Sequence, residues 1–255
     1  METISTMLNS KKENIKAVFI WLFIWQIFSM LVGQEILLVS PISAFRKLIE
    51  LSVEKEFWIS IINSFVRITS GFFIAFILGS ICAVFSYFSE KFRIMVEPLV
   101  LTVQSVPVAS FIILALVWIS SENLSTFISM LMVFPIVYRN ILTGINSIPK
   151  EIVEMTRVFE VKISDRIRYI YLSEMAPYIK SACSVSLGLC WKAGIAAEVI
   201  GIPDGSIGEK LYTAKVYLNT PELFAWTIVI VVISICFQKI FLYIINRILE
   251  RMGIL

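Results

Sequence analysis

Residues 139–180 read RNILTGINSIPKEIVEMTRVFEVKISDRIRYIYLSEMAPYIK, and apolar stretches of membrane-spanning length flank them on both sides. The segment carries seven basic residues: Arg139, Lys150, Arg157, Lys162, Arg166, Arg168 and Lys180. Pro149 stands where a helix can begin, because the first helical position has no use for the missing N–H. Glu151 and Glu154 follow, in turns where acidic side chains complement the positive end of the helix dipole. Ile152, Met155 and Phe159 recur at i, i+3 and i+7 and so share one face. A second helix is expected from Ser164 as its N-cap. In it Ile163, Ile167, Ile170 and Tyr171 lie on one side and Asp165, Arg166 and Arg168 on the other, with Pro177 ending the loop. Two short amphipathic helices between spans make a cytoplasmic surface suited to being gripped. An ordinary solvated loop with helical turns would carry the same pattern, but structured loops of this length usually carry function.

Outward from this island the chain is apolar. Of its 255 residues 58% are hydrophobic, against about 45–50% in soluble domains, which marks an all-α polytopic membrane protein. A span needs roughly 20 apolar residues. Six segments qualify, about 17–38, 59–88, 97–119, 124–146, 179–201 and 222–246, with the cytoplasmic loop at about 147–178 and one transmembrane domain over 1–255. Glu97-Pro98 reads as the opening of the third span, where proline is tolerated. Lys11, Lys12 and Lys16 precede the first apolar run with no small-residue cleavage site after it, so that run is expected to be retained. Two further stretches, from Ser43 to Glu56 and from Ile207 to Tyr217, interleave apolar and charged residues at helical spacing and are expected as short interfacial helices outside.

Orientation follows from where the positive charges fall. With the N-terminus inside, Lys11, Lys12, Lys16, Lys91, Arg93, the seven of the island, Lys239, Arg247 and Arg251 face the cytoplasm, and Arg46, Lys47, Lys55, Lys210 and Lys215 face out. The bias obeys the positive-inside rule, so both termini are expected in the cytoplasm. Arg67, Lys192 and Glu198 fall within spans, where charged groups are costly and often mark a path or an interhelical bond. Lys192 and Glu198 are six residues apart, too far around a helix to pair. Lys192 either lines a path or pairs with a group on another helix. Glu198 reads as a gate or as an interhelical hydrogen bond near the outer end of its span. There is no histidine, which removes histidine-based metal sites and general bases. Cys82, Cys183, Cys190 and Cys236 lack CxxC spacing and read as small core residues. Trp21, Trp25, Trp58 and Trp226, near span ends, fit interfacial anchors.

Glu154-Met155-Thr156, with Glu160, Ile170-Tyr171-Leu172-Ser173 and Pro177, resembles the "EAA" loop of binding-protein-dependent ABC transporter permeases. That pattern has alanine where Met155 and Thr156 stand, glycine where Glu160 stands and proline where Ser173 stands. The resemblance continues from about Pro41 to Arg251 and points to the nitrate, sulfonate and taurine branch. It is carried by Ser64-Phe65-Val66-Arg67, Ser105-Val106-Pro107 with Leu114 and Trp118, Ile148-Pro149, and Gly188-Leu189 with Trp191. Ala197-Glu198 with Gly201, Ser206-Ile207-Gly208, Asn219-Thr220 and Phe224-Ala225 complete it.

The resemblance implies a type I ABC importer permease fold of six transmembrane helices in the bacterial cytoplasmic membrane. It implies a second permease copy forming a homodimeric alternating-access pathway, two cytoplasmic ATPase subunits holding ATP-Mg, and an extracellular or periplasmic substrate-binding protein, with no nucleic acid involved. ATPase coupling would fall to Ile152, Glu154, Met155, Thr156, Arg157, Val158, Phe159 and Glu160. Arg67, Lys192 and Glu198 would be pathway or interhelical residues. The implied solute is a small anion such as a sulfonate or nitrate, with a vitamin precursor or aromatic solute as the alternative. The chain has no G-x-x-x-x-G-K-[ST] phosphate loop, so the resemblance leaves hydrolysis to a separate subunit, with no catalytic residue or cofactor here. A stand-alone secondary transporter or channel is the reading of another class. The large basic knob and the lack of an inverted repeat or filter-like loop weigh against it. A polytopic enzyme would need a convergent His, Asp or Cys constellation that the chain lacks.

Overall fold

The computed structural model describes residues Glu2–Gly253, with side chains from Lys16 onward except that of Lys150. The side chains of Lys11, Lys12 and Lys150, counted above among the inward charges, lie outside the described residues. All regular structure among the described residues is helical. The chain divides into two compact units, one formed by the residues up to Trp58 with Lys210–Val229, the other by Ile59–Glu209 and the residues from Ile230 onward.

In the first unit, helix α1 (Glu2–Val32) stops where Gly33 turns to φ +64°, a left-handed position that glycine fills without strain. Its apolar part, Lys16–Val32, is shorter than the expected first span. Helix α2 (Pro41–Ser52) is the first of the expected interfacial helices. Pro41 takes its first position, and the Ser40 hydroxyl accepts from the Ser43 N–H at 3.1 Å, supplying an acceptor for one of the four N–H groups a helix start leaves free. The Thr220 hydroxyl donates to the Ile36 carbonyl at 2.9 Å, and Trp25 lies 5.5 Å from the Phe224 ring. Trp226, expected at the interface, is instead buried, its ring 4.9 Å from that of Phe57. The apolar bulk of the indole finds protein here rather than headgroups.

In the second unit the core is α6 (Ser121–Asn146) against α9 (Leu172–Gly201), the most extensively packed helix pair among the described residues. Leu124, Ile128, Val133, Val137, Ile141 and Ile145 repeat at helical spacing on the buried side of α6. A Cβ on Gly194 of α9 would lie 2.6 Å from both Ile68 Cγ1 and Ser129 Oγ, so glycine is what lets three helices meet there. Helix α3 (Lys55–Phe88) supplies Ile68. Cys190 and Ser129 complete this junction, the hydroxyl donating to the Cys190 carbonyl at 3.3 Å. Helix α11 (Thr220–Arg251) contributes Phe237, 5.2 Å from Phe65 and 6.4 Å from Trp191. Cys183 and Cys190 are core residues as expected, whereas Cys236 is exposed.

Two expectations about proline fail. Helix α4 (Glu90–Ser105) begins a full two turns before Pro98, with the Ser89 hydroxyl accepting from the Phe92 N–H at 3.3 Å, so Pro98 lies inside it. The break comes at Pro107, after which α5 (Val108–Ala115) leaves at 105°. The stretch expected as a single third span is therefore a bent pair. Pro177 does not end the loop either. Helix α8 (Ile163–Arg166), a π-helical turn over Ile167–Tyr171 and α9 run on as one 39-residue helix from Ile163 to Gly201. The proline costs a single i→i−4 bond, and the helix runs on through it. Ser164 is likewise inside the helix, and Lys162 is its N-cap residue.

Among the described residues α3, α6, the Ile163–Gly201 helix and α11 are each long and apolar enough to cross a membrane, and α4 with α5 make a fifth only as a bent pair.

Candidate coupling surface and intramembrane site

The short helix α7 (Lys150–Val158) begins after Pro149, as its sequence implied. Thr156 is the one buried residue among its described side chains, with Ile152 and Val153 half-buried, whereas Met155, Val158 and Phe159 are 53%, 79% and 72% exposed. The helix rests on Thr156 and its neighbours and presents an apolar face of three large side chains outward. Ile152, expected on that face, belongs to the side turned toward the protein. Glu154, Arg157 and Glu160 are exposed, so all eight expected coupling residues lie on one small element with its cap.

The end of α7 explains a departure from the family pattern. Glu160 has φ +49°. Its N–H donates to the Arg157 carbonyl at 3.1 Å, and the Val161 N–H reaches back to the Thr156 carbonyl at 3.0 Å. These two bonds form a Schellman cap, whose C′ residue must be left-handed and is usually glycine. The position to which the EAA resemblance assigns a glycine is a cap residue in this chain, and Glu160 holds the left-handed geometry with a side chain. Arg166 braces the turn, its Nη2 donating to the Thr156 and Val161 carbonyls at 3.3 and 3.4 Å. A left-handed non-glycine residue costs about 1–2 kcal/mol. Glu160→Gly is expected to raise the unfolding free energy of this turn by up to about 1 kcal/mol and Glu160→Val to lower it by about as much. Hydrogen exchange of the Val161 amide reads both; faster exchange in Glu160→Gly than in the unchanged protein would show that the cap is not limiting.

Within the spans the structure unites residues that the sequence listed separately. Glu198 of α9 is completely buried. One carboxyl oxygen, Oε2, accepts from the Ser64 hydroxyl of α3 at 2.6 Å and from the Gly208 N–H of α10 (Ile207–Val216) at 3.3 Å. The other, Oε1, accepts from the Ser125 hydroxyl of α6 at 3.4 Å. Ser64 in turn accepts from the Ile207 N–H at 2.9 Å. Four elements are tied at one carboxyl group, and every partner is itself buried polar or backbone, where an unmade bond costs about 1–3 kcal/mol. A Cβ on Gly208 would overlap Glu198, so only glycine brings this N–H to the carboxyl. Ile202 makes the turn between α9 and this contact, left-handed at φ +47° with its N–H on the Glu198 carbonyl at 2.8 Å. Glu198 is therefore an interhelical clamp. Ser64 and Gly208 stood in the sequence as family-like residues, but no spacing linked them to Glu198, because 134 residues separate Ser64 from it.

Arg67 and Lys192 are not part of the clamp. Arg67 lies one turn along α3 from Ser64 and forms no ion pair among the described residues. Its backbone carbonyl accepts from the Thr126 hydroxyl at 2.9 Å, and its Nη1 is buried without a partner. Lys192 is exposed, on the open stripe of α9 that includes Ser181, Val185 and Leu189. It too has no ion pair among the described residues. The structural alternative for Lys192 is a carboxylate or carbonyl on another helix, and no ion pair of Lys192 is present among the described residues.

Residues 75–252 match the family described as binding-protein-dependent transport system inner membrane component. The chain is 26% identical over 214 residues to a Bacillus subtilis (strain 168) protein named as an aliphatic sulfonates transport permease, SsuC, covering 83% of this chain and 77% of that one. It is 26% identical over 207 residues to the nitrate import permease protein NrtB of Synechococcus elongatus, covering 76% and 73%. It is 21% identical over 216 residues to the taurine transport system permease protein TauC of Escherichia coli (strain K12), covering 82% and 78%. With the matched region spanning well over half its length, the chain belongs to the family of binding-protein-dependent transport system inner membrane components, the permease subunits of ABC importers.

Proposed function

We propose that this permease imports a small anion, as one half of a homodimer driven by two ATPase subunits and fed by an external binding protein. The observation that carries the coupling half of this reading is the outward face of Met155, Val158 and Phe159 on a rigidly capped helix. Exposed large apolar side chains clustered on one element mark a protein contact, and the basic loop around them suits the cytoplasmic side. ATP binding and hydrolysis in the partner would move this helix, and with it the α8–α9 rod, switching the pathway between outward-open and inward-open states.

Six crossings with both termini inside remain our topology, with the apolar end of α1 and the bent α4–α5 pair counted as crossings. It rests on the excess of inward positive charge. Residence in a bacterial inner membrane follows from the family.

The anionic solute is supported by the unpaired, exposed Lys192 within the fifth span. A cation in an apolar span is expensive unless it faces protein or water, and at a homodimer seam it would be doubled. SsuC, NrtB and TauC are named for sulfonates, nitrate and taurine. Lys192→Met is expected to cut uptake of methanesulfonate or nitrate by about ten-fold, the worth of one charge-assisted hydrogen bond, while a neutral solute of similar size is unaffected. Uptake measured in vesicles holding the whole transporter decides. Equal loss, or no loss, for both solute classes would remove Lys192 from substrate selection.

A further inference from the structure

We propose that a groove at the inner end of the α6–α9 pair is an oxyanion site, separate from Lys192 and independent of which solute is carried. Arg139, Asn140 and Thr143 of α6 and Pro177, Tyr178 and Ser181 of α9 line an open groove of about 370 Å³, room for a tetrahedral anion with water. Next to the groove, Gly144 of α6 packs against Tyr178 of α9. A Cβ there would come within 3.1 Å of Tyr178 Cβ and Cγ, so glycine lets Tyr178 approach α6 closely.

The lining is rich in unused donors. Arg139 spends Nη2 on Glu97 Oε1 at 2.8 Å, yet its Nε is buried with no acceptor. A buried donor left unpaired costs free energy that an anion's oxygen would recover. The hydroxyls of Thr143, Tyr178 and Ser181 have no hydrogen-bond partner among the described residues. The Asn140 amide is occupied, donating to the Ile136 carbonyl at 2.8 Å. No lining residue is acidic, and the one nearby carboxylate, Glu97, is already held by the guanidinium. One guanidinium edge with three hydroxyls matches an oxyanion of the sulfate, sulfonate or phosphate type, because guanidinium and hydroxyl donors converge on its oxygens. A cation would meet Arg139 instead. Partial neutralisation by Glu97 sets the expected affinity in the millimolar range.

The same chemistry is offered by a free anion and by the phosphate of an anionic lipid headgroup. The test titrates sodium sulfate into the purified full-length permease with its ATPase, at constant ionic strength in chloride, by calorimetry. Thr143→Val combined with Ser181→Ala leaves the Arg139–Glu97 pair intact and is expected to weaken sulfate binding by at least five-fold. In phosphatidylglycerol nanodiscs, loss of sulfate binding relative to phosphatidylcholine identifies a headgroup as the occupant, and retention identifies a free anion; both support the site. The proposal is overturned if sulfate fails to bind and phosphatidylglycerol is not retained over phosphatidylcholine. It is also overturned if binding survives the double variant unchanged.

Discussion

Glu198→Ala is expected to lower the apparent unfolding temperature of the purified permease by about 10 °C and to abolish uptake. The removed carboxyl group is the acceptor for the Ser64 and Ser125 hydroxyls and the Gly208 N–H, all buried. Leaving several such groups unpaired at about 1–3 kcal/mol each, with a cavity beside them, totals roughly 3–5 kcal/mol. A chain of this size loses about 2–4 °C per kcal/mol. Glu198→Gln is a sharper probe. Its amide keeps one acceptor oxygen but turns the other position into a donor facing either Ser64 and Gly208 or Ser125, so stability should fall by less than in the alanine variant yet remain below the parent. Gly208→Ala should reproduce the alanine effect from the other side, because its Cβ would push the N–H away from the carboxyl. If Glu198→Ala unfolded at the parent temperature but still lost uptake, the clamp would be a transport residue and not a structural one.

This clamp shows what the sequence does and does not carry. Glu198 could be singled out because a carboxyl group in an apolar run is conspicuous, and Ser64 and Gly208 because they fit a family pattern. Their meeting could not be read, since contacts between residues so far apart depend on helix packing, which no local periodicity encodes. Helix identities were legible from apolar runs, and the α7 start from Pro149. The errors cluster at prolines. Pro98 and Pro177 look like helix boundaries in the sequence because proline lacks an N–H to donate. In α4 and α9 the neighbouring turns keep the helix going, and only Pro107, preceded by extended Val106, breaks it. Glu160 was legible in a different sense. The resemblance assigns its place to glycine, and in this chain that place is left-handed, a conformation glycine adopts without strain.

Phe159→Glu is expected to reduce recovery of the ATPase with the permease by more than ten-fold while leaving the permease's own unfolding temperature unchanged. Phe159 is 72% exposed and is the residue before the left-handed Glu160, so nothing within this chain depends on its ring. In an interface the same ring would be a central anchor. Losing such an anchor commonly costs 2 kcal/mol or more, about thirty-fold in affinity, and a carboxylate forced into the same pocket adds desolvation. Met155→Glu, one turn earlier on the same face, should act alike. Glu154→Lys should weaken docking less, because an exposed charge contributes mainly to steering. Glu160→Gly should keep docking at parental strength, since it relaxes the cap and leaves the face in place. Arg166→Ala separates position from contact. It removes the brace on the Thr156 and Val161 carbonyls without touching the docking face, so the ATPase should still bind, but hydrolysis should run without matching uptake. Full recovery of the ATPase with Phe159→Glu would mean that the exposed face of α7 is not where the motor is held, and the coupling surface would have to be sought on Ile163, Ile167 and Tyr169, the next exposed apolar residues along the rod.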